Sequence, residues 1–316
     1  MIRKYSFNHS ICEYEEFLTL KNETPRMSSK QFIKNNPKIF RFFRKLYYVV
    51  FKRHIYGLTA PIRTLPDFIV FAADRAGTSS LFHYLEQHPC ICASDHDHLG
   101  FFDSNFDLGI NFYKSFFPTI LLKYYTKFRR KYFMTYDVTA SYYRRPWSIQ
   151  NILKTIPSVK LVAILRNPVD GAYSGFHKDS RLQNITFENA IKDELELLER
   201  ERNDIEKNGY ANIMQDSFLA KGFYEKQLKL WLNDFPKHQI LFLTTEELTD
   251  NPEKTFKKIF AFLKLPDYKI ENYKKQNVGK YKNKMNLTTR NFLIDFYKSH
   301  NKKLYELLES NFDWDK

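Results

Sequence analysis

Residues 67–85 read DFIVFAADRAGTSSLFHYL, and within them Arg75, Gly77, Thr78, Ser79 and Ser80 are the types that hold an anion. The arginine brings a fixed cation with forked donors, and the hydroxyls bring further donors. Gly77 lets the backbone approach a ligand closely. A second set stands at Arg166-Asn167-Pro168 and Ser174, with another arginine and another hydroxyl. Two such sets imply two anionic groups, of phosphate or sulfate type, on one ligand. Histidines 96 and 98, in the polar run Ser94-Asp95-His96-Asp97-His98, are candidates for moving a proton, since imidazole exchanges protons near neutral pH.

These residues need elements to position them. Phe68 to Ala73 is an apolar run that reads as a buried parallel strand, and Leu81, Phe82, Tyr84 and Leu85 follow at helical spacing. A strand, a small-residue turn and a helix start form an anion cradle, because free N–H groups and the helix dipole converge there. An ordinary strand-to-helix connection with Ser and Thr caps is the alternative reading. The G-x-x-x-x-G-K-[ST] pattern fails, since no Lys follows Gly77, which argues against simple nucleoside triphosphate chemistry. Leu161 to Leu165 is a second apolar strand, and Pro168 suits the first turn of a following helix. Arg166 then leaves the carboxyl end of a buried strand, where open α/β sheets bind ligands. An Arg166–Asp170 pair closing the turn is the competing reading of that arginine.

Residues 66–89, through Arg75-Ala76-Gly77-Thr78-Ser79-Ser80-Leu81 and His88-Pro89, resemble the 5′-phosphosulfate loop of sulfotransferases that use 3′-phosphoadenosine 5′-phosphosulfate (PAPS). Residues 160–174, with Leu165-Arg166-Asn167-Pro168-Val169-Asp170 and Ala172-Tyr173-Ser174, are similar to that family's 3′-phosphate motif. The heparan-sulfate and bacterial carbohydrate sulfotransferases are the branch most resembled. Lys221-Gly222-Phe223-Tyr224, Trp231-Leu232, Glu246-Glu247-Leu248, Asn251-Pro252, Thr289-Arg290 and Trp314 extend the likeness, so that it covers roughly residues 60–316.

The resemblance implies a three-layer, P-loop-like sulfotransferase α/β fold with a central parallel sheet flanked by helices. It implies that PAPS is the sulfuryl donor, held by Arg75, Ala76, Gly77, Thr78, Ser79 and Ser80 at the 5′ end and by Arg166 and Ser174 at the 3′-phosphate. Lys280 and Tyr281 are implied as further cofactor-binding residues. The chain departs from the family pattern at several points. Arg75 and Ala76 stand where the family usually has Lys and Gly. Asp97 and His98 fall at a Lys-Glu pair, which makes His98 the expected catalytic base. Asp137-Val138-Thr139-Ala140 replaces a Glu-Lys-Ser/Thr-Pro segment, so its Lys is missing. His96, Asp97 and Asp137 are reserves for the base.

Sulfuryl transfer resembles phosphoryl transfer, an in-line displacement that asks for positioning, charge stabilisation and a proton acceptor. Arg75 would stabilise the charge and His98 would take the proton, with no metal required. The acceptor, a hydroxyl or amine of a carbohydrate or small molecule, is not legible. Two rivals are a nucleotide-dependent kinase on a related fold and a non-catalytic nucleotide- or anion-binding homologue.

The chain has 316 residues, 43% of them hydrophobic, enough to bury a core. Its net charge of +14 suits an anionic cofactor, and with no basic-aromatic recognition module nucleic acid is not expected as a partner. Three cysteines, Cys12, Cys90 and Cys92, make no disulfide framework; the last two are expected as reduced residues of the first helix–loop region. The opening residues lack the apolar core of a signal peptide, and a cytoplasmic location is the expectation. Residues 1–59 form an extension before a sulfotransferase domain at 60–316. Within it, residues 37–56, PKIFRFFRKLYYVVFKRHIY, read as a basic amphipathic helix that packs on the domain or makes peripheral contact with an anionic membrane. Residues 184–212 read as a charged helix. Oligomeric state is left open.

Overall fold

A computed structural model describes residues 54–182, 184–203, 206, 217–273 and 284–315. Within these, residues 54–56 belong to the stretch read as a basic amphipathic helix, and its remainder lies outside the described residues, as do Lys280 and Tyr281.

The two apolar runs become adjacent strands. β1 (Phe68–Ala72) is followed by α1 (Thr78–Leu85) and the short β2 (Ile91–Ala93). An exposed helix, α2 (Ile120–Arg130), leads to β3 (Met134–Val138), α3 (Pro146–Thr155) and β4 (Lys160–Leu165). Then come α4 (Pro168–Lys178), α5 (Phe187–Arg200), α6 (Tyr224–Asp234), β5 (Ile240–Thr244), α7 (Thr245–Asp250), α8 (Pro252–Leu263) and α9 (Leu287–Leu308). The sheet has five strands in the order β2-β3-β1-β4-β5, all parallel. Parallel neighbours require crossover connections, and the helices that make them flank the sheet and bury it. All five residues of β1 are buried, as a central strand covered on two faces must be.

Register decides where the two arginines go. Ala72 of β1 pairs with Ile164 of β4, so the strands end level with each other. The loops that carry Arg75 and Arg166 therefore leave the same edge of the sheet side by side. Chain order reverses here, with β3 on one flank of β1 and β4 on the other, and ligands of open α/β sheets bind at such a point.

Much of the aromatic content is core. Phe71 stacks on Trp231 with ring centroids 4.1 Å apart, and Phe101 stacks on Tyr113 at 4.3 Å. A second cluster, Val169, Phe176, Phe187, Phe218, Phe223 and Tyr297, packs α4 against α5 and α9. Gly222 is needed there, because a Cβ would stand 2.7 Å from Tyr297 Cε1 and 2.9 Å from Pro168 Cβ. The charged segment forms a helix over Phe187–Arg200, capped by Thr186, with Phe187, Ala190, Ile191 and Leu198 buried. Cys92 lies on β2 rather than in the helix–loop region, and burial pushes its thiol up to about 11. The position between residues 59 and 60 falls inside a 3₁₀ turn, Tyr56–Ile62, which is joined to the domain through Arg63 Nη1 donating to the Phe117 carbonyl at 2.6 Å.

Candidate active site

A cleft of about 1130 Å³ opens at the carboxyl edge of the sheet. Residues 74–80 form one wall, Arg166, Ser174, Gly175 and Lys178 another, and Asp97 with His98 a third. This exceeds the roughly 300–1,000 Å³ of an ordinary small-molecule pocket, leaving space for a nucleotide and a second reactant.

The first wall is built by a left-handed turn. Arg75 (φ 66°) and Gly77 (φ 87°) both take positive φ, which winds residues 73–77 tightly between β1 and α1. Gly77 is the N-cap of α1 and has no side chain to cap it. The first N–H groups of that helix have no partner within the helix, and they lie on the cleft wall together with the hydroxyls of Thr78, Ser79 and Ser80. Thr245 fastens the turn from behind, its Oγ1 within hydrogen-bonding distance of the carbonyls of Ala76 (3.1 Å) and Leu165 (3.0 Å). One hydroxyl thus bridges the loops after β1 and β4.

The second wall joins the first directly. Arg75 Nε donates to Ser174 Oγ at 3.2 Å, and Arg166 Nη1 donates to the Arg75 carbonyl at 2.9 Å. Tyr224 Oη donates to the Arg166 carbonyl at 2.8 Å, and Glu246 Oε1 accepts from the Asn167 amide at 3.0 Å. Asn167 caps α4 through its side chain, which accepts from the Val169 amide. The Arg166–Asp170 pair does not form. Asp170 pairs with Arg290 of α9 at 2.7 Å, because α4 turns that carboxylate away from the strand end and toward its neighbouring helix. Arg166 and Arg75 line the same cleft.

The third wall carries the titratable pair. Ser79 Oγ donates to Asp97 Oδ2 at 2.9 Å, and His98 Nε2 lies 3.6 Å from the same oxygen. Asp97 thus connects the end of the anion loop to the imidazole. His98 is in the left-handed region (φ 59°), and its amide donates to the Val138 carbonyl at 2.7 Å. The half-exposed ring remains open to the cleft.

The reserve residues separate. His96 packs edge-on against Phe116, with centroids 5.4 Å apart. Asp137 is fully buried and turned into the core. It accepts from Tyr113 Oη (2.9 Å), Tyr142 Oη (2.9 Å) and Thr139 Oγ1 (2.7 Å). Burial nevertheless pushes its carboxyl up to about 6, these hydrogen bonds opposing the rise. The network supports the loop that carries His98: Tyr142 Oη accepts from the Phe101 and Phe102 amides, and Thr139 Oγ1 from the Gly100 amide.

Three cations in the cleft were not singled out from the sequence as site residues. Arg144 Nε and Lys221 Nζ lie 3.2 and 3.3 Å from the two oxygens of Asp74, and Lys178 lines the wall of Arg166 and Ser174. Lys221 stands in a segment that carries the family resemblance, Lys221-Gly222-Phe223-Tyr224, and that resemblance was the available signal for it.

The Sulfotransferase domain family matches residues 65–292, and the chain belongs to that family. It is 25% identical to the membrane-associated sulfotransferase kil1 of Dictyostelium discoideum, over 79% of this chain and 66% of that protein. It is 26% identical to the human bifunctional heparan sulfate N-deacetylase/N-sulfotransferase 2, over 81% of this chain and 31% of that protein. The chain thus spans just under two thirds of the first relative and about a third of the second. The crystal structure of a sulfotransferase from Alicyclobacillus acidocaldarius superposes with a TM-score of 0.59 at 23% identity, covering 80% of this chain and all of that one, and shares the P-loop-like fold. No helix among the described residues is long and apolar enough to cross a membrane.

Proposed function

We propose that this domain transfers the sulfuryl group of PAPS to a hydroxyl or amine of a carbohydrate or other small acceptor. The observation that carries this reading is the contact between the two arginine loops. Arg166 Nη1 on the Arg75 carbonyl and Arg75 Nε on Ser174 Oγ hold two cationic centres at a fixed separation on one cleft. A donor with a 5′-phosphosulfate and a 3′-phosphate carries anions at two ends, which is the ligand such a pair suits. Family membership favours the same donor.

In this scheme the 5′-phosphosulfate lies against the N-terminus of α1, on the amides and hydroxyls of residues 77–80, with Arg75 beside the bridging oxygen. The 3′-phosphate lies on Arg166 and Ser174. The acceptor oxygen or nitrogen forms a bond to sulfur while the bond from sulfur to the bridging phosphate oxygen breaks. The electron pair goes to that oxygen and leaves with 3′-phosphoadenosine 5′-phosphate. Arg75 stabilises the charge that develops there, and being always protonated it acts by charge and hydrogen bonding rather than as an acid. His98 takes the acceptor's proton, with Asp97 beside the ring to stabilise the imidazolium.

The acceptor class rests on the heparan sulfate relative and on the cations Arg144, Lys178 and Lys221 around the cleft, which favour a hydroxyl-rich or already anionic sugar. Calorimetry comparing 3′-phosphoadenosine 5′-phosphate with ATP and Mg²⁺ tests the donor. Tight binding of the first and none of the second supports the reading; the reverse favours a kinase. Turnover of labelled PAPS against a panel of sugars and amines then separates an enzyme from a silent binder.

A further inference from the structure

We propose that α2 docks this protein on an anionic membrane surface, through an apolar stripe that faces solvent. In most surface helices the apolar residues face the core and the charges face water. In α2 the arrangement is inverted. Leu121, Tyr124, Tyr125 and Phe128 recur at i, i+3, i+4 and i+7 and share one face. Their exposures are 75%, 66%, 56% and 90%, and no residue of the helix is buried. The side turned to the domain is instead polar in part, where half-buried Lys123 reaches Asp67 at 3.7 Å.

A water-facing stripe of this kind calls for an occupant, and charge identifies it. Residues 119–133 contain Lys123, Lys127, Arg129, Arg130 and Lys131 and no acidic residue. Lys127, Arg129, Arg130 and Lys131 are exposed; on the helix Lys127 and Arg129 flank the stripe on its two sides, Lys131 follows as the C-cap, and Arg130 lies on the side of Lys123. Apolar and aromatic residues on one face with Lys and Arg beside them are the pattern of a helix lying in the plane of an anionic bilayer surface. The apolar side chains enter the headgroup boundary, and the long cations reach up to the lipid phosphates. An acidic protein partner would complement the cations but leave a stripe this apolar poorly matched.

A second exposed apolar element adjoins the N-terminal end of the helix. The turn Tyr56–Ile62 exposes Leu58 and Ile62, and it reaches α2 through the Arg63–Thr119 bridge and the Thr64 amide on the Pro118 carbonyl at 3.0 Å. This surface is separate from the cleft, since no α2 residue lines it.

The test is sedimentation of the full chain with phosphatidylcholine vesicles, with and without phosphatidylserine. The expected result is pelleting with the mixed vesicles alone, weakened by salt. A Leu121→Ser/Phe128→Ser variant and a Lys127→Glu/Arg129→Glu variant should each lower the partition coefficient roughly tenfold or more. All four positions are exposed, so nucleotide binding by either variant should match the parent and serve as the control for folding. Three results overturn the proposal: no pelleting of the parent chain, pelleting that both variants retain in full, or a dimer in sedimentation velocity that the Ser/Ser variant dissociates. The second would place membrane contact elsewhere in the chain, and the third would make the stripe an interface between copies.

Discussion

Arg166 and Arg75 are joined side chain to main chain: the guanidinium of one holds the carbonyl of the other at 2.9 Å. Each is a candidate for one end of the donor, so the contact sets the distance between two anion sites from within the protein. Arg166 therefore has two roles, a charge for the ligand and a strut for the turn that carries Arg75.

Separating these roles is the first prediction. Arg166→Ala should weaken 3′-phosphoadenosine 5′-phosphate binding about 10- to 100-fold, the range for losing a charged hydrogen bond to phosphate. Arg166→Lys keeps the charge but replaces the forked donor with a single ammonium, and should recover only part of that loss. Calorimetry gives both constants; equal affinity for Lys and Arg would show that the strut is dispensable.

His98→Ala should lower turnover by about 10²- to 10⁴-fold, the usual contribution of a positioned base. Binding of 3′-phosphoadenosine 5′-phosphate should stay within about twofold, because in the proposed scheme the ring serves the acceptor and not the nucleotide. A fall in nucleotide affinity with turnover preserved would remove His98 from the base role. Asp97→Asn should act on both the imidazole and Ser79, since one carboxylate oxygen serves the two.

Asp137 makes stability depend on pH. Its carboxyl, pushed up by burial to about 6 from an ordinary 3.8, holds its proton more tightly folded than unfolded. Its contribution is therefore complete below about pH 4 and is lost as pH rises through 6, where a buried charge must form. Asp137→Asn cannot ionise, so the parent's stability relative to the variant should fall by roughly 2–4 kcal/mol between pH 4 and 8. Denaturant midpoints across that interval measure it. A constant difference would mean that the three hydroxyl donors keep the carboxylate charged throughout.

Gly222→Ala should destabilise the fold by about 1–3 kcal/mol through overpacking against Tyr297 and Pro168. Where space allows, the same substitution stabilises by a few tenths to 1 kcal/mol, so the sign alone decides. Because Gly222 follows Lys221, the variant should also raise KM for the donor or the acceptor while leaving kcat little changed. An unchanged urea midpoint would sink the packing argument.

What was legible in the sequence was local. Phe68–Ala72 and Lys160–Leu165 are apolar throughout because central parallel strands are covered on both faces, and both anion loops follow them directly. β3 was harder to read. Its MTYDV carries buried Thr135 and Asp137, whose burial depends on partners such as Tyr113 and Tyr142 that come from other elements. Arg144 and Lys221 reach the cleft for a similar reason, since their common partner Asp74 is distant in the chain. Asp170 was read by proximity to Arg166, whereas helix packing assigns it to Arg290. The periodic apolar positions of α2 say that a helix forms and do not say which way it faces.

The level pairing of Ala72 with Ile164 also has a temporal side. On a ribosome, the turn bearing Arg75 emerges long before the strand that must lie beside it. Until β4 is synthesised and released from the exit tunnel, the first arginine has no second to meet. Long-range parallel pairing is slow to form, so nucleotide affinity should arise late and abruptly during synthesis, as a sign that the sheet has closed in its final order.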